Sequence, residues 1–314
     1  MNASQVKKAA VIGAGVMGHS IAQVYATFGV EVRLADVNEK ALDRARRLIE
    51  MNLSLLEDNG QIKKGSIPEI LGRIHMGVDI PGAVKDVDIT VEAVKEDLQV
   101  KKGVFALISD NCPPEAVIAS NTSGLDIYQV ADAVKNPARL IIQHWYTPAH
   151  IIPLVEIVAG PATSQETIRL NEDLMKRFGK RPVTLKQFFP SFIGSRIQAY
   201  MAMAFFEILQ KGWATPEQID LALKASLGVR LPIVGAVQSL DFTGLDLVND
   251  IQKANGVDYP VVSEKVARGD LGAKTGKGFY EYGGRSEAEI LRKRDELYLK
   301  VRDYLEEIKA FEPV

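Results

Sequence analysis

Cysteine is almost absent from this sequence. The only one among the 314 residues is Cys112, so neither an intrachain disulfide nor a multi-cysteine metal site can form. Cys112 lies in a turn-like Asn-Cys-Pro-Pro stretch, a context typical of a packed or surface thiol rather than of a nucleophile. We therefore expect no disulfide and no bound metal.

Long apolar runs and a dominant charge are missing as well. No segment approaches the roughly 18 consecutive apolar residues of a membrane span, and the first apolar run is too short for the core of a signal peptide. We expect a reducing, cytoplasmic compartment and no membrane partner. The 38 basic residues nearly balance the 40 acidic ones, and a formal net charge of −2 gives no general attraction to nucleic acid.

The length of the chain predicts about two domains, because 314 residues exceed one typical core. In the first part, short apolar runs alternate with helical patterns. The runs cover residues 9–12, 30–36, 87–94, 116–119 and 140–143. This alternation predicts an α/β domain over 1–187, with a parallel, doubly wound sheet covered by helices on both faces.

The second part, residues 188–314, reads as an all-α domain after a break at Gln187-Phe-Phe-Pro190. Thr215 suits a helix N-cap, and Gln218 completes a capping box. Helical patterns also cover residues 192–211, 240–255 and 286–309. The first of these contains an apolar stretch that must be buried on most sides, which predicts a homodimer through the helical domain.

A glycine motif, Gly13-x-Gly15-x-x-Gly18, follows the first predicted strand and opens a helix. The first glycine permits the tight turn, the second lets backbone approach a pyrophosphate, and the third allows close helix–strand packing. The helix N-terminus offers unpaired N–H groups to the phosphates. A second strand then ends in Asp36. This context predicts a Rossmann nucleotide-binding domain rather than a glycine-rich turn in an unrelated α/β domain.

The acid at the end of the second strand favours NAD. Asp36 would accept hydrogen bonds from the adenine ribose hydroxyls and would repel a 2′-phosphate, which disfavours NADP. Val16 and Met17, within the turn, are counted among the cofactor contacts. FAD is a further alternative, but a helical second domain in a chain of this length fits a nicotinamide cofactor better.

Three polar motifs are expected beyond the carboxyl ends of sheet strands, where open α/β sheets bind ligands. They are Ser120-Asn-Thr-Ser123, Gln143-His144-Trp-Tyr-Thr-Pro148 and the run from Ile151 to Val158 that contains Glu156. A dehydrogenase that oxidises an alcohol needs a base, and a histidine titrates near the working pH. A carboxylate behind the histidine would stabilise the imidazolium.

His144 and Glu156 fit these two roles. Alone, His144 would more often be a structural histidine, and a charge inside an apolar run needs a partner, so each residue explains the other. For Ser123 two interpretations stay open from its chemistry, a catalytic hydroxyl and a helix cap at Gly124.

The sequence resembles the 3-hydroxyacyl-CoA dehydrogenase family over nearly its whole length. The shared motifs are the glycine turn, Val91-Glu-Ala-Val-Lys-Glu96, Ser120-Asn-Thr-Ser123, the His144 motif, Leu154-Val-Glu156, Phe192-Ile-Gly-Ser-Arg196 and Lys274-Thr-Gly-Lys-Gly-Phe-Tyr280. The resemblance implies a Rossmann domain followed by a helical domain that dimerises. It also implies that His144 is the catalytic base, that Glu156 is its partner, and that Ser123 lies near substrate and nicotinamide.

Three charged residues acquire a role only through this resemblance. Glu96, Lys101 and Lys274 match positions that contact NAD in the family, whereas the residues alone read as solvated surface charges. Candidate substrate contacts are Ser123, Thr147 and Ser195. The last two depart from the family, which usually has asparagine at both positions; it also has Pro-Gly where this chain has Pro190-Ser191.

The substrate class stays open between two alternatives. The family's usual reaction interconverts an L-3-hydroxyacyl-CoA and a 3-ketoacyl-CoA, yet its CoA-contacting positions fall near Asn52 and Asn59, without a lysine. The loop at residues 58–64 does carry lysines. The run Ile151–Glu156 looks more like relatives that act on small hydroxy acids, namely carnitine, gulonate and pyridine-carboxylate dehydrogenases. A different class, a non-catalytic NAD-binding protein of crystallin or sensor type, is also considered.

Overall fold

The computed structural model describes residues 1–313 and divides the chain into two compact units, Met1–Tyr200 and Met201–Val314. The division falls within one long helix. The domain boundary predicted at residues 187/188 lies earlier, at the loop that precedes this helix, and it stays a prediction.

An eight-stranded sheet forms the centre of the first unit. The strands are β1 (Lys8–Ile12), β2 (Glu31–Ala35), β3 (Ile74–Gly77), β4 (Ile89–Glu92), β5 (Val117–Ser120), β6 (Leu140–Trp145), β7 (Leu154–Val158) and β8 (Arg181–Leu185). Their order across the sheet is β3-β2-β1-β4-β5-β6-β7-β8. The order reverses at β1, between β2 and β4, which is where sheets of this type bind dinucleotides.

Helices cover both faces of this sheet, as predicted. They are α1 (Gly18–Thr27), α2 (Glu39–Asp58), α3 (Ile67–Gly72), α4 (Ile80–Val84), α5 (Leu98–Asn111) and α6 (Gln165–Arg177). Strand β1 shows how the sheet is shared between two cores. Ala9 and Val11 pack into the core on one face, and Ala10 and Ile12 pack into the core on the other, because successive side chains of a strand alternate.

One strand pair departs from the predicted parallel sheet. Strands β6 and β7 are antiparallel, and the other neighbouring pairs are parallel. An antiparallel pair needs only a short connection, here residues 146–153. Consequently Glu156 lies inside β7, and the expectation that its motif follows a strand end is wrong. His144 likewise lies inside β6.

The second unit is all-α, as predicted. It contains the end of α7 (Gly194–Gln210), followed by α8 (Pro216–Ala225), α9 (Leu227–Thr243), α10 (Leu245–Ala254), α11 (Pro260–Ala267) and α12 (Glu287–Glu307). Thr215 and Gln218 form the predicted capping box of α8. The helix predicted over residues 240–255 is divided in two, because Gly244 has a φ of +93°.

The apolar stretch of α7 is not buried within the chain. Tyr200, Met203 and Phe206 are 61%, 65% and 68% exposed. The burial expected for this stretch is therefore not found in the single chain, and the homodimer stays a prediction. Among residues 1–313 no single helix is long and apolar enough to cross a membrane; α9 and α10, bent by 79°, pass that test only as a pair.

Candidate functional site

The glycine turn connects β1 to α1. Gly13 has a φ of +103°, and a Cβ there would lie 2.5 Å from the carbonyl oxygen of Ala93. A Cβ on Gly18 would overlap the carbonyl of Gly13. Both positions therefore require glycine. Around Gly15, by contrast, a Cβ would meet nothing within 4 Å, so the turn leaves open space for a pyrophosphate above the N-terminus of α1.

Asp36 joins this turn to the start of α2. Its Oδ2 accepts the N–H of Ala14 at 2.8 Å, and its Oδ1 accepts the N–H of Asn38 at 2.9 Å. The carboxylate stands at a cavity of about 360 Å³ that begins at Gly13 and Gly15. The rest of its wall is formed by Lys95 and by apolar side chains, namely Ile12, Val37, Ile80, Ala93, Val94, Val100 and Val104. A mostly apolar cavity beside a carboxylate fits the adenosine half of NAD.

A buried ion network lies at the carboxyl end of β4. The Lys101 ammonium donates to Glu92 Oε1 at 2.7 Å and lies 3.1 Å from Glu96 Oε2. Lys101 is 1% exposed and Glu92 0%. The interpretation of Lys101 as a solvated surface charge is therefore wrong. Helix α5 packs on the sheet and directs this lysine onto an acid at the strand end.

Glu96 in turn holds the loop after β5. Its Oε1 accepts the hydroxyl of Thr122 at 2.5 Å and the N–H of Ser123 at 2.9 Å. Burial alone would raise the pKa of Glu96, but the Thr122 hydroxyl and the Lys101 charge outweigh it and lower that pKa. The network therefore fixes the backbone at Ser123 through a carboxylate that stays ionised.

The Ser123 side chain is exposed, and its hydroxyl has no hydrogen-bond partner among the described residues. The cap interpretation of Ser123 is wrong. Thr122 accepts the N–H of Leu125 at 2.9 Å instead, and the short helix that follows has Asp126 as its N-cap. The catalytic interpretation of the Ser123 hydroxyl stays a prediction.

His144 and Glu156 face each other across the antiparallel pair β6–β7. Nδ1 of His144 lies 2.8 Å from Oε2 of Glu156, and the two residues are 3% and 1% exposed. The carboxylate selects the tautomer with the proton on Nδ1. Nε2, which has no hydrogen-bond partner within residues 1–313, is then the atom that can accept a proton.

Glu156 receives three further donors. Tyr146 donates its hydroxyl to Oε2 at 2.9 Å, and the backbone N–H groups of Ile193 and Gly194 donate to Oε1 at 2.9 and 3.0 Å. Burial alone would raise the pKa of Glu156, but these hydrogen bonds and that from His144 lower it. The carboxylate therefore keeps its charge although it is buried.

Tyr146, Ile193 and Gly194 were absent from the predicted site. Tyr146 follows His144 by two residues, and the period of a strand places such residues on one face, so the sequence held a signal for it. Backbone donors leave no such signal. A Cβ on Gly194 would overlap the hydroxyl of Tyr146, which explains the glycine there.

The departures from the family pattern occupy the same region. Ser191 has a φ of +63°, in the left-handed region that favours glycine. Ser195 lies beside the Tyr146 hydroxyl. Thr147 is exposed and donates its hydroxyl to the sulfur of Met17 at 2.9 Å, which joins the histidine motif to the glycine turn.

A second cavity, of about 480 Å³, lies on the other side of the glycine turn. Its wall includes Gly15, Val16, Asn52 and Thr147, together with the basic residues Lys40 and Arg44. The lysines of loop 58–64 do not line it; residues 61 and 62 of that loop belong to a separate cavity beside Lys180. The positive charge next to Thr147 thus comes from α2.

Lys274 belongs to the second unit, where its ammonium pairs with both carboxylate oxygens of Asp246, at 2.6 and 2.5 Å. Its contact with NAD stays a prediction. Within residues 1–313 no group of three or more histidine, cysteine, aspartate or glutamate side chains is arranged to hold a metal ion.

Two family descriptions match the chain. Residues 8–188 match "3-hydroxyacyl-CoA dehydrogenase, NAD binding domain", and residues 192–282 match "3-hydroxyacyl-CoA dehydrogenase, C-terminal domain". A probable 3-hydroxybutyryl-CoA dehydrogenase of Deinococcus radiodurans is 36% identical over 284 residues, which cover 88% of this chain and 100% of that protein.

A pyridine-carboxylate dehydrogenase is also similar. The 5-formyl-3-hydroxy-2-methylpyridine 4-carboxylate 5-dehydrogenase of Mesorhizobium japonicum is 28% identical, covering 96% of this chain and 99% of that protein. Among solved structures, a 3-hydroxyacyl-CoA dehydrogenase from Archaeoglobus fulgidus matches with a TM-score of 0.78 and 32% identity, over 95% of this chain and 99% of that one. The chain belongs to the 3-hydroxyacyl-CoA dehydrogenase family and is an NAD-dependent dehydrogenase that acts on a CH–OH group.

Proposed function

We propose that this enzyme interconverts an L-3-hydroxyacyl-CoA and the corresponding 3-ketoacyl-CoA. The observation that carries the proposal is the His144–Glu156 pair, with its 2.8 Å hydrogen bond and its carboxylate held by three further donors. Three relatives that are 36%, 34% and 32% identical are named as 3-hydroxybutyryl-CoA dehydrogenases, which supports the CoA thioester as the substrate.

His144 acts as the general base in the oxidative direction. Its Nε2 takes the proton of the substrate hydroxyl while the hydride leaves the carbon that bears this hydroxyl. The Glu156 carboxylate stabilises the imidazolium that forms. The Ser123 hydroxyl donates a hydrogen bond to the reacting oxygen. NAD, when bound, supplies the acceptor of the hydride. In the reverse direction the imidazolium returns the proton to the ketone oxygen.

The residues that would hold NAD follow from the geometry of the first unit. Gly13, Gly15 and Gly18 open the turn to the pyrophosphate, with Val16 and Met17 in the same turn, and Asp36 receives the adenine ribose. Lys101 would act mainly through Glu96 and the Ser123 backbone, because its ammonium is already enclosed by two carboxylates.

The basic residues of α2 support a substrate with a distant anionic group. Arg44 and Lys40 line the cavity that also contains Thr147, and neither has a carboxylate within salt-bridge distance among residues 1–313. A CoA diphosphate, which the pantetheine arm separates from the reacting carbon, suits such a position. A small hydroxy acid, the second candidate, is favoured by the 96% coverage of the pyridine-carboxylate dehydrogenase.

Acetoacetyl-CoA distinguishes these alternatives. We expect rapid oxidation of NADH with acetoacetyl-CoA and slow oxidation with acetoacetate; the reverse preference would favour the small-acid alternative. Arg44→Gln should raise KM for acetoacetyl-CoA roughly tenfold, as for a lost charge-assisted hydrogen bond, with little change in kcat. The matched control Lys64→Gln, in the exposed loop outside this cavity, should leave KM unchanged.

A non-catalytic NAD-binding protein would bind NADH and turn over neither compound.

For the assembly, we propose a homodimer through the helical domain, supported by the exposed Met203 and Phe206 of α7. Sedimentation equilibrium at micromolar concentration should give twice the mass of 34.4 kDa; a monomeric mass would contradict this proposal.

The single cysteine supports a reducing, cytoplasmic compartment, which fractionation of cells can test.

A further inference from the structure

The hydroxyl of Tyr146 and the imidazole of His144 donate to the same carboxylate oxygen. Oε2 of Glu156 accepts Nδ1–H at 2.8 Å and the phenol O–H at 2.9 Å. The two rings also touch, with centroids 4.5 Å apart and planes inclined at 52°. Tyr146 therefore contacts both members of the catalytic pair.

The surrounding backbone is shaped to hold this hydroxyl in place. Gly194 approaches so closely that a Cβ there would overlap the Tyr146 oxygen. The amide of the same glycine donates to Oε1 of Glu156 at 3.0 Å. The backbone at Gly194 thus donates to Oε1 of Glu156 and also confines the Tyr146 hydroxyl, which donates to Oε2.

We propose that Tyr146 is a positioning residue that tunes the base. By taking one of the two hydrogen bonds at Oε2, it reduces the negative charge that the carboxylate presents to His144. A weaker charge stabilises the imidazolium less, so the Tyr146 hydroxyl favours the neutral imidazole that accepts the hydroxyl proton. This inference rests on the proposed role of His144 as the base.

Two neighbours of the pair on other segments are uncharged. Val183 of β8 lies opposite Glu156, and the ring of Phe192 stands 5.3 Å from that of His144. The two N–H groups at Oε1 are backbone amides. Tyr146 itself stays protonated, because burial and then the adjacent carboxylate raise its pKa to about 12.

The test is Tyr146→Phe, which keeps the ring and removes the hydroxyl. The four histidines are titrated by NMR in the protein without cofactor, and the His144 signal is assigned by its absence in His144→Gln. We expect the midpoint of this signal to rise by about half to one pH unit, as for loss of one hydrogen bond to the charged partner. The limb of the pH–rate profile that reports the base in alcohol oxidation should also move to higher pH. At neutral pH, alcohol oxidation should slow more than ketone reduction.

Tyr128→Phe is the matched control. Its hydroxyl donates to the carbonyl of Val158 on β7 at 2.5 Å, outside the pair, and the midpoint should not move. If Tyr146→Phe is poorly folded, 3-fluorotyrosine at this position strengthens the donor and should lower the midpoint. An unchanged midpoint in either variant overturns the inference. Lack of activity in the wild type would instead refute the proposed function, and the NMR titration would still decide the role of Tyr146.

Discussion

Replacing Lys101 with methionine isolates the buried ion network at the end of β4. Methionine keeps the length of the side chain and removes the charge. Lys101 and Glu92 are 1% and 0% exposed, so almost no water can solvate the carboxylate that is left behind. Breaking a buried pair by removing one partner costs about 3–5 kcal/mol. Glu92 keeps the hydrogen bonds from the N–H of Val94 and the hydroxyl of Ser120, and Glu96 is 45% exposed, so the expected loss lies in the lower part of that range.

Urea denaturation of the wild type and variant, followed by circular dichroism, measures this loss. Lys102→Met is the matched control, because Lys102 pairs with Asp132 at the surface and such pairs contribute about 0–1 kcal/mol. The double variant Glu92→Gln/Lys101→Met removes both buried charges and should recover much of the loss. If Lys101→Met were within about 1 kcal/mol of wild type, the buried-pair reasoning would be refuted.

Three further predictions concern the cofactor, the backbone and pH. Asp36→Ala should weaken NADH binding by roughly 10- to 100-fold, as for a lost charge-assisted hydrogen bond, and should reduce the preference for NADH over NADPH. Fluorescence titration measures the Kd of both cofactors. An unchanged Kd for NADH would contradict the assignment of Asp36 to the ribose. Ser191→Gly should raise Tm by about 2–4 °C, because its φ of +63° strains any side chain; a lower Tm would refute this. The lowered pKa of Glu156 contributes stability above the usual glutamate value of about 4.3 that is lost as pH falls through the folded pKa. Between about pH 5 and 3, the free energy of unfolding of Glu156→Gln should therefore fall less than that of the wild type. An equal fall in both proteins would contradict the lowered pKa of Glu156.

The nucleotide-binding half of the fold was predictable because each local signal agreed with its neighbours. The apolar run before Gly13, the glycine spacing and the acid at Asp36 all indicate one βαβ unit. The capping box at Thr215 and Gln218 was predictable for a similar reason, since its partners are three residues apart. The structure contains all of these features.

The composition of β7 did not predict its direction; the signal lay in the eight-residue connection from β6, which is too short for a parallel crossover. A buried apolar strand has the same composition whether it runs parallel or antiparallel, so the run from Leu154 to Val158 gave no sign of its pairing with β6. Strand β3, Ile74–Gly77, was missed because only Ile74 is buried, so the strand lacks the continuous apolar run that marks β4 and β5. The exposure of Tyr200 and Phe206 on α7 was not predicted, because an apolar helical pattern does not say whether its burial occurs within one chain.

The pairing of His144 with Glu156 was predicted correctly from an oddity, a charge inside an apolar run. Lys101 was misjudged for the opposite reason. A lysine on a helix is usually solvated, and only the tertiary position of α5 places it between two carboxylates. Ser123 and Thr122 are adjacent hydroxyls, and the choice of which one caps the turn depends on backbone geometry that sequence does not reveal.

The role of His144 as the general base is tested most directly by His144→Gln, assayed for reduction of acetoacetyl-CoA by NADH and for NADH binding in parallel. The account predicts that kcat falls by about 10²- to 10⁴-fold, the usual contribution of a positioned acid or base, while the Kd for NADH stays within about twofold, well under 1 kcal/mol. Near-normal turnover in this variant would contradict the account.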